Sequence, residues 1–197
     1  MNNPDKVITH HSATKDGIVL KNFTAIKNNH INVKGWKDIG YHLVIEYVNG
    51  KLECLQGRNF DEEGAHCLGQ NDKSIGVCCV GNFDVDVPSQ ELYEFFASVY
   101  MSKIYPKYGK LPLKRHNEFS NTNCPGKNFN LEKVEFLINR FDVFKANNIP
   151  QWKIEGEKYL RDMGYTDKTP DNPERNVDFG TLGVILRNRD NKLNEKS

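Results

Sequence analysis

The chain has 197 residues, with 27 Lys and Arg against 26 Asp and Glu, and 38% of its residues are hydrophobic. A net charge of +1 sets up no field of the kind that draws in nucleic acid, and no apolar run approaches the roughly 20 residues that span a membrane. This composition suits one medium domain, or a domain of roughly 150 residues with a small appendage, and the opening MNNPDKVITHH lacks the apolar stretch of a secretion signal, which points to a protein kept in a cytoplasm until something releases it.

Residues 6–10 read as a strand that enters VITHHSATKDG (residues 7–17), where His10 and His11 are adjacent. Neighbouring strand residues point to opposite faces, so His10 and His11 serve different sides. Either one of them is a metal ligand, or both are ordinary polar residues at a strand edge. Residues 25–30 read as a short helix with Phe23 and Ile26 on one face. Residues 41–48 and 51–55 flank Asn49-Gly50, the strongest short hairpin signal. Residues 74–81 form a continuous apolar run, read as a buried central strand. Leu92, Phe95, Phe96 and Val99 recur at helical spacing between Pro88 and Tyr105, with Pro106 expected to close that helix. Residues 111–115 read as another short strand. Asn130 can cap a helix from Leu131 to about Lys145, with Val134, Leu137, Ile138 and Phe141 as its apolar stripe. The expected fold class is therefore α/β, a central mixed sheet flanked by helices, occupying residues 1–146.

Composition shifts at residues 147–150. Trp152, Tyr159, Leu160 and Met163 read as one helix ended by Gly164, and Asp178 reads as the cap of another carrying Phe179, Leu182, Ile185 and Leu186. Two such helices bury too little alone. Residues 150–197 are expected to form a small helical module that needs the main domain, a second copy or a ligand against it.

The cysteines number 5, and an odd count without a secretion signal argues against a disulfide framework. Cys78 and Cys79 in SIGVCCVG, and Cys54 in a hairpin strand, read as small buried hydrophobes. Cys124 differs. NTNCPGKNF is a polar loop in which a buried structural thiol has little reason to be, and His116 precedes it in the same loop. Two imidazoles and one thiolate supply three ligands of a tetrahedral zinc, leaving a position for water. Their spacing matches none of the short zinc-finger patterns, so spacing alone leaves the matter open.

The segments VITHHSAT, GWKDIGYHLVI, NGKLECLQGR, GAHCLGQNDKSIGVCCVGNF and RHNEFSNTNCPGKNF follow one another in that order. The series resembles the zinc-dependent N-acetylmuramoyl-L-alanine amidases of the peptidoglycan-recognition type, which include many bacteriophage endolysins. The resemblance runs from about residue 7 to about residue 144. It implies Zn²⁺ held by His10, His116 and Cys124, with His11 structural. It implies that Tyr41 of GYH and Thr122, two before the ligand Cys, stand beside the metal as catalytic hydroxyl donors. Some phage relatives carry Lys at the position of Thr122. It implies substrate contact for His66. Asn71 is similar, or caps its loop, and Trp36 lines the groove or anchors its turn. His42, next to Tyr41 on a strand, is expected to face away from whatever Tyr41 faces. His30 reads as helix-end packing, and Glu118 as a residue that holds its loop through backbone N–H groups.

The chemistry implied is hydrolysis of an amide, for which zinc lowers the pKa of bound water to roughly 7 and polarises the carbonyl. No HExxH glutamate is present as a base, which leaves Tyr41 or a residue behind the ligands for proton transfer. The function implied is a phage or prophage endolysin that cuts bacterial peptidoglycan between N-acetylmuramic acid and L-alanine. It would wait in the host bacterial cytoplasm for holin-type release, with residues 150–197 binding the wall, packing, or pairing a homodimer. A cytoplasmic peptidoglycan-recycling amidase and a non-catalytic peptidoglycan-binding protein are the competing readings. A purely structural zinc site would need a fourth protein ligand, for which Cys67 or His66 is available.

Overall fold

A strand that is covered on both faces and paired on both edges has no polar side to show. β4 (Ser74–Cys79) meets that description, since all of its residues are buried. In the computed structural model, which describes residues 1–15 and 22–146, β4 lies between β1 (Lys6–His11) and β2 (Leu43–Val48), parallel to both. β3 (Lys51–Gln56) pairs antiparallel with β2, and β5 (Leu113–Arg115) pairs parallel with β1. The sheet order is β3-β2-β4-β1-β5, the mixed sheet expected of the α/β class. Asn49 and Gly50, at φ +52° and +76°, make the two-residue hairpin turn that favours these residue types.

Period-two alternation divides the side chains between two layers. Val7, Leu43, Ile45, Ile75, Val77 and Cys79 face the larger core, which α2 (Gln90–Val99) and α4 (Leu131–Ala146) close with Phe96, Val134 and Ile138. Val44 and Cys78 point to the other side, where Ile39, Val80 and the partly buried Phe23 and Ile26 of α1 (Asn22–Asn28) cover them. His10 lies on this second face, level with Cys78 in the strand register.

The helices depart from the sequence expectation at their ends, for physical reasons. A buried carboxylate meets the described start of α1 (Asn22–Asn28): Glu46 of β2, 0% exposed, accepts from Asn22 N–H at 2.7 Å and from Phe23 N–H at 3.4 Å. A negative group there suits the orphan donors and the positive end of the helix. α1 then runs on into a π turn, Asn29–Val33. α2 is capped by the Ser89 hydroxyl, which accepts from Leu92 N–H. Pro106 does not close the helical path. A π turn, Tyr100–Ile104, shifts the hydrogen-bond register, so Pro106 falls in the first turn of α3 (Tyr105–Tyr108), where a missing N–H costs nothing. Gly109, at φ +67°, ends the path instead. Asn130 does cap α4, its Oδ1 accepting from Lys133 N–H at 2.9 Å.

Met1–Phe141 forms one compact unit. The helical module expected at residues 150–197 lies outside the described residues. Among the described residues no helix is long and apolar enough to cross a membrane.

Candidate metal centre and active site

Two parallel neighbours, β1 and β5, bring the histidines together. Thr9 pairs with Arg115, so the residue after each, His10 and His116, leaves its strand at the same level. Their rings stand 4.4 Å apart between centroids. After β5 the chain makes a single 3-10 turn, His116–Glu118. Glu118 holds it by accepting Arg115 N–H at 2.7 Å and by an ion pair with Lys114 at 3.0 Å. The loop then folds back: Asn117 N–H donates to Cys124 O at 2.9 Å, and Cys124 N–H donates to Thr122 Oγ1 at 3.2 Å. These bonds turn the Cys124 side chain inward.

One ligand atom each from His10, His116 and Cys124 lies within 4.8 Å of the other two. Bond lengths of about 2.0–2.3 Å in a tetrahedron place ligand atoms roughly 3.3–3.8 Å apart, and Cys124 Sγ is 3.7 Å from His10 Nδ1. The donor set therefore fits a zinc ion. Among the described residues no fourth His, Cys, Asp or Glu joins the group, so these residues supply three ligands of a tetrahedral site and leave its fourth position to water or substrate.

The electrostatics suit neutral nitrogen ligands. Burial holds His10 well below the ordinary imidazole range, with His66, His116 and His11 adding to the effect. His116 is lowered by burial and by His11. Burial pushes the Cys124 thiol up to about 12, although the His11 N–H, donating to Sγ at 3.3 Å, favours the thiolate. A divalent cation reverses that balance, because a coordinating thiol is deprotonated outright.

The remaining expected residues fall into place around this cluster. Tyr41 is half-buried, with its ring 5.1 Å from that of His10. Burial, then the nearby Cys78 and Cys124, raise its phenol well above the usual value, so it stands as a neutral O–H donor. Thr122 is half-buried as well, and its oxygen is the one that accepts from Cys124 N–H. His11 points to the other face, where its Nδ1 accepts from Phe83 N–H at 3.2 Å. Trp36 packs on His30 at 4.6 Å with Lys34 Nζ over its face at 4.9 Å. Asn71 Oδ1 accepts from His66 N–H and Cys67 N–H at 2.8 and 2.9 Å, which caps that loop.

His66 sits behind His10, only 8% exposed, with His66 Nδ1 at 3.0 Å from His10 Nε2. The alternation expected of Tyr41 and His42 does not hold. β2 begins at Leu43, so neither residue lies in the regular strand, and both rings approach His66, at 6.5 and 5.6 Å. His42 is wholly buried and braces the sheet: its Nδ1 accepts from Gly76 N–H and its Nε2 donates to Glu62 O, both at 2.9 Å. Three contributors went unread in the sequence: Gly64 and Gly76, which make room for the His66 ring, and Ser74 beneath it. The glycines of GAH and SIG were the available signal.

A family model described as N-acetylmuramoyl-L-alanine amidase (Amidase_2) matches residues 1–127. Peptidoglycan-recognition protein LB of Drosophila melanogaster is 30% identical over 132 residues, covering 61% of this chain and 53% of that protein. The endolysin of Escherichia phage T7 is 31% identical over 127 residues, covering 61% of this chain and 80% of that protein. Among solved structures, N-acetylmuramoyl-L-alanine amidase LysC from Clostridium intestinale URNW superposes with a TM-score of 0.60 at 26% identity, covering 70% of this chain and 87% of that one. The chain spans about half the length of the Drosophila relative and 18% of the Homo sapiens N-acetylmuramoyl-L-alanine amidase that it also matches. With most of its length matched, and with two imidazoles and a thiol gathered at the edge of a mixed sheet, the chain belongs to the N-acetylmuramoyl-L-alanine amidase family.

Proposed function

We propose that this chain is an endolysin-type amidase that hydrolyses the bond between N-acetylmuramic acid and L-alanine in bacterial peptidoglycan. The observation that carries this reading is the convergence of His10, His116 and Cys124, from three separate segments, to within 4.8 Å. A zinc ion held there supplies Lewis acidity toward the amide carbonyl and a water of lowered pKa. The chain's own residues hold and polarise. Tyr41 O–H, which meets the Cys78 thiol, is a neutral donor beside the cluster that would turn to negative charge developing on the carbonyl oxygen. Thr122 accepts from Cys124 N–H, which leaves its single hydroxyl proton to donate elsewhere, and it is the second such donor. His66, Asn71 and Trp36 were read as substrate contacts. Of these, His66 lies behind His10, Asn71 Oδ1 caps its own loop, and Trp36 packs on His30.

The thiol among the three donors favours cleavage over recognition alone, and the match to 80% of the phage T7 endolysin's length favours the endolysin reading. In that reading the chain stays in the host cytoplasm until a holin-type partner releases it to the wall. The test is metal analysis together with mass spectrometry of digested sacculi. The expected result is one zinc per chain and new L-alanine amino termini with intact glycan strands. Cleavage within the glycan or the stem peptide would overturn the bond assignment. Activity on soluble muropeptides with none on sacculi would replace the endolysin by a recycling amidase.

A further inference from the structure

The His66 ring lies wedged against the sheet. A Cβ added at either Gly64 or Gly76 would collide with it, so only glycines permit the ring to rest there. The wedge brings His66 Nδ1 to 3.0 Å from His10 Nε2 and His66 Nε2 to 3.5 Å from Ser74 Oγ. Ser74, in turn, lies 2.6 Å from Gln70 O.

The direction of this chain of contacts can be deduced from its far end. A carbonyl has no proton to give, so Ser74 donates its only one to Gln70 O. Ser74 Oγ can then only accept from His66, and the Ser74 main chain also accepts from that ring. His66 Nε2 therefore carries the proton. A neutral imidazole has one N–H and one bare nitrogen, so His66 Nδ1 is the bare one and must accept. His10 Nε2 must donate to it. That leaves His10 Nδ1 bare, and Nδ1 is the atom 3.7 Å from Cys124 Sγ.

We propose that His66 is a positioning residue for the metal centre: by accepting the Nε2–H of His10 it locks that ring in the tautomer and orientation whose Nδ1 lone pair faces Cys124 and His116. The inference rests on the zinc-amidase reading above and replaces a substrate role for His66. The physical logic is general. A metal-binding imidazole is aimed by the group that receives its other N–H, and loss of that group typically weakens metal binding about 10- to 100-fold. What distinguishes this arrangement is that the receiver is itself a histidine whose tautomer is dictated by a hydroxyl and a main-chain carbonyl. No carboxylate takes part, so the receiver adds no negative charge to the site.

The experiment uses the full chain, labelled with ¹⁵N and stripped of metal by a chelator. Two-bond ¹H–¹⁵N correlation of the imidazoles reads both tautomers without zinc or activity. His10 and His66 are both expected in the Nε2–H form. His10 in the Nδ1–H form would overturn the proposal. Zinc affinity by chelator competition is then compared among His66 variants. His66→Leu is expected to bind zinc about 10- to 100-fold more weakly. His66→Asn, whose Oδ1 can stand where Nδ1 stood, should recover most of the loss. Unchanged zinc affinity in His66→Leu, with KM raised on soluble muropeptide, would overturn the proposal in favour of substrate contact. If His66→Leu does not fold, the wild-type tautomer spectrum still decides. If the wild-type chain binds no zinc at all, the zinc-amidase reading fails, while the tautomer spectrum separately supports or defeats the placement of His66.

Discussion

Cys124 Sγ lies 3.7 Å from His10 Nδ1 although 114 positions separate the two residues. Nothing local in the chain brings them together. β1 places the histidine, and the loop after β5 folds back through Asn117 and Thr122 to present the sulfur.

Replacing the thiol tests that relationship directly. Cys124→Ser puts a shorter, harder and un-ionised oxygen in place of sulfur, but it retains an acceptor for the His11 N–H that donates to Sγ. The variant should fold, lose stoichiometric zinc, and lose lytic activity by more than the roughly 100-fold typical of removing an outer partner. Metal analysis and turbidity clearing of sacculi read the two losses. Full activity in this variant would remove Cys124 from the centre.

Tyr41 stands beside His10 at 5.1 Å between rings. Tyr41→Phe keeps the ring packing and removes one proton donor. Loss of a donor to a developing oxyanion typically costs about 3 kcal/mol of barrier, or roughly 10²-fold in kcat. The expected outcome is a fall in kcat of that order with KM and zinc content little changed. A raised KM with kcat intact would make Tyr41 a binding residue only.

How much of this was readable from the chain depends on the range of the interaction. The hairpin announced itself through Asn49-Gly50, and the buried strand through an unbroken apolar run, because both signals are local. His10, His116 and Cys124 carried no diagnostic spacing. Their meeting depends on the parallel register of β1 with β5, which periodicity does not encode, so only the ordered series of motifs pointed to them. The alternation rule misled at Tyr41 and His42 because it holds inside a strand and these residues precede one. Pro106 misled because a π turn shifted the register just before it. The polar loop around Cys124 gave no sign that the thiol itself would be only 7% exposed. Glu46 was invisible because a polar residue in an apolar strand shows its purpose only when its distant partner is known.

Glu46 offers a stability test separate from the metal. It sits 0% exposed in β2 and its carboxylate receives the first N–H groups of α1. Glu46→Gln preserves the shape but replaces charge-assisted acceptance with a neutral amide that also brings two donors into a site built for an acceptor. A loss of about 1–3 kcal/mol in unfolding free energy is expected, read by urea denaturation, with zinc stoichiometry unaltered. An unchanged midpoint would mean that α1 does not depend on this carboxylate.

His30 gives the fold a dependence on acid. Its Nδ1 accepts Gly40 N–H at 3.0 Å, and its ring is packed between Trp36 and Tyr41 at 4.6 and 5.6 Å. Burial, followed by the charges of Lys34 and Arg58, lowers its pKa to about 4, against roughly 6.5 in an unfolded chain. A neutral ring already carries its proton on Nε2, so charging it places a proton on Nδ1 and breaks the bond to Gly40. Between pH 6.5 and 4 the unfolded chain takes up a proton that the folded one refuses, so stability present above 6.5 is lost as the pH falls through that window. Below 4 both states are charged and the contribution stops changing. For this partly solvent-screened ring the loss should be about 1–2 kcal/mol. Other buried histidines, including His11 and His42, are shifted in the same direction, so the comparison that isolates His30 is with His30→Asn, whose Oδ1 can still accept from Gly40. Urea midpoints measured from pH 7 to pH 4 should fall less steeply in the variant than in the wild type. Parallel curves would show that His30 keeps an ordinary pKa in the fold and that the acid sensitivity lies elsewhere.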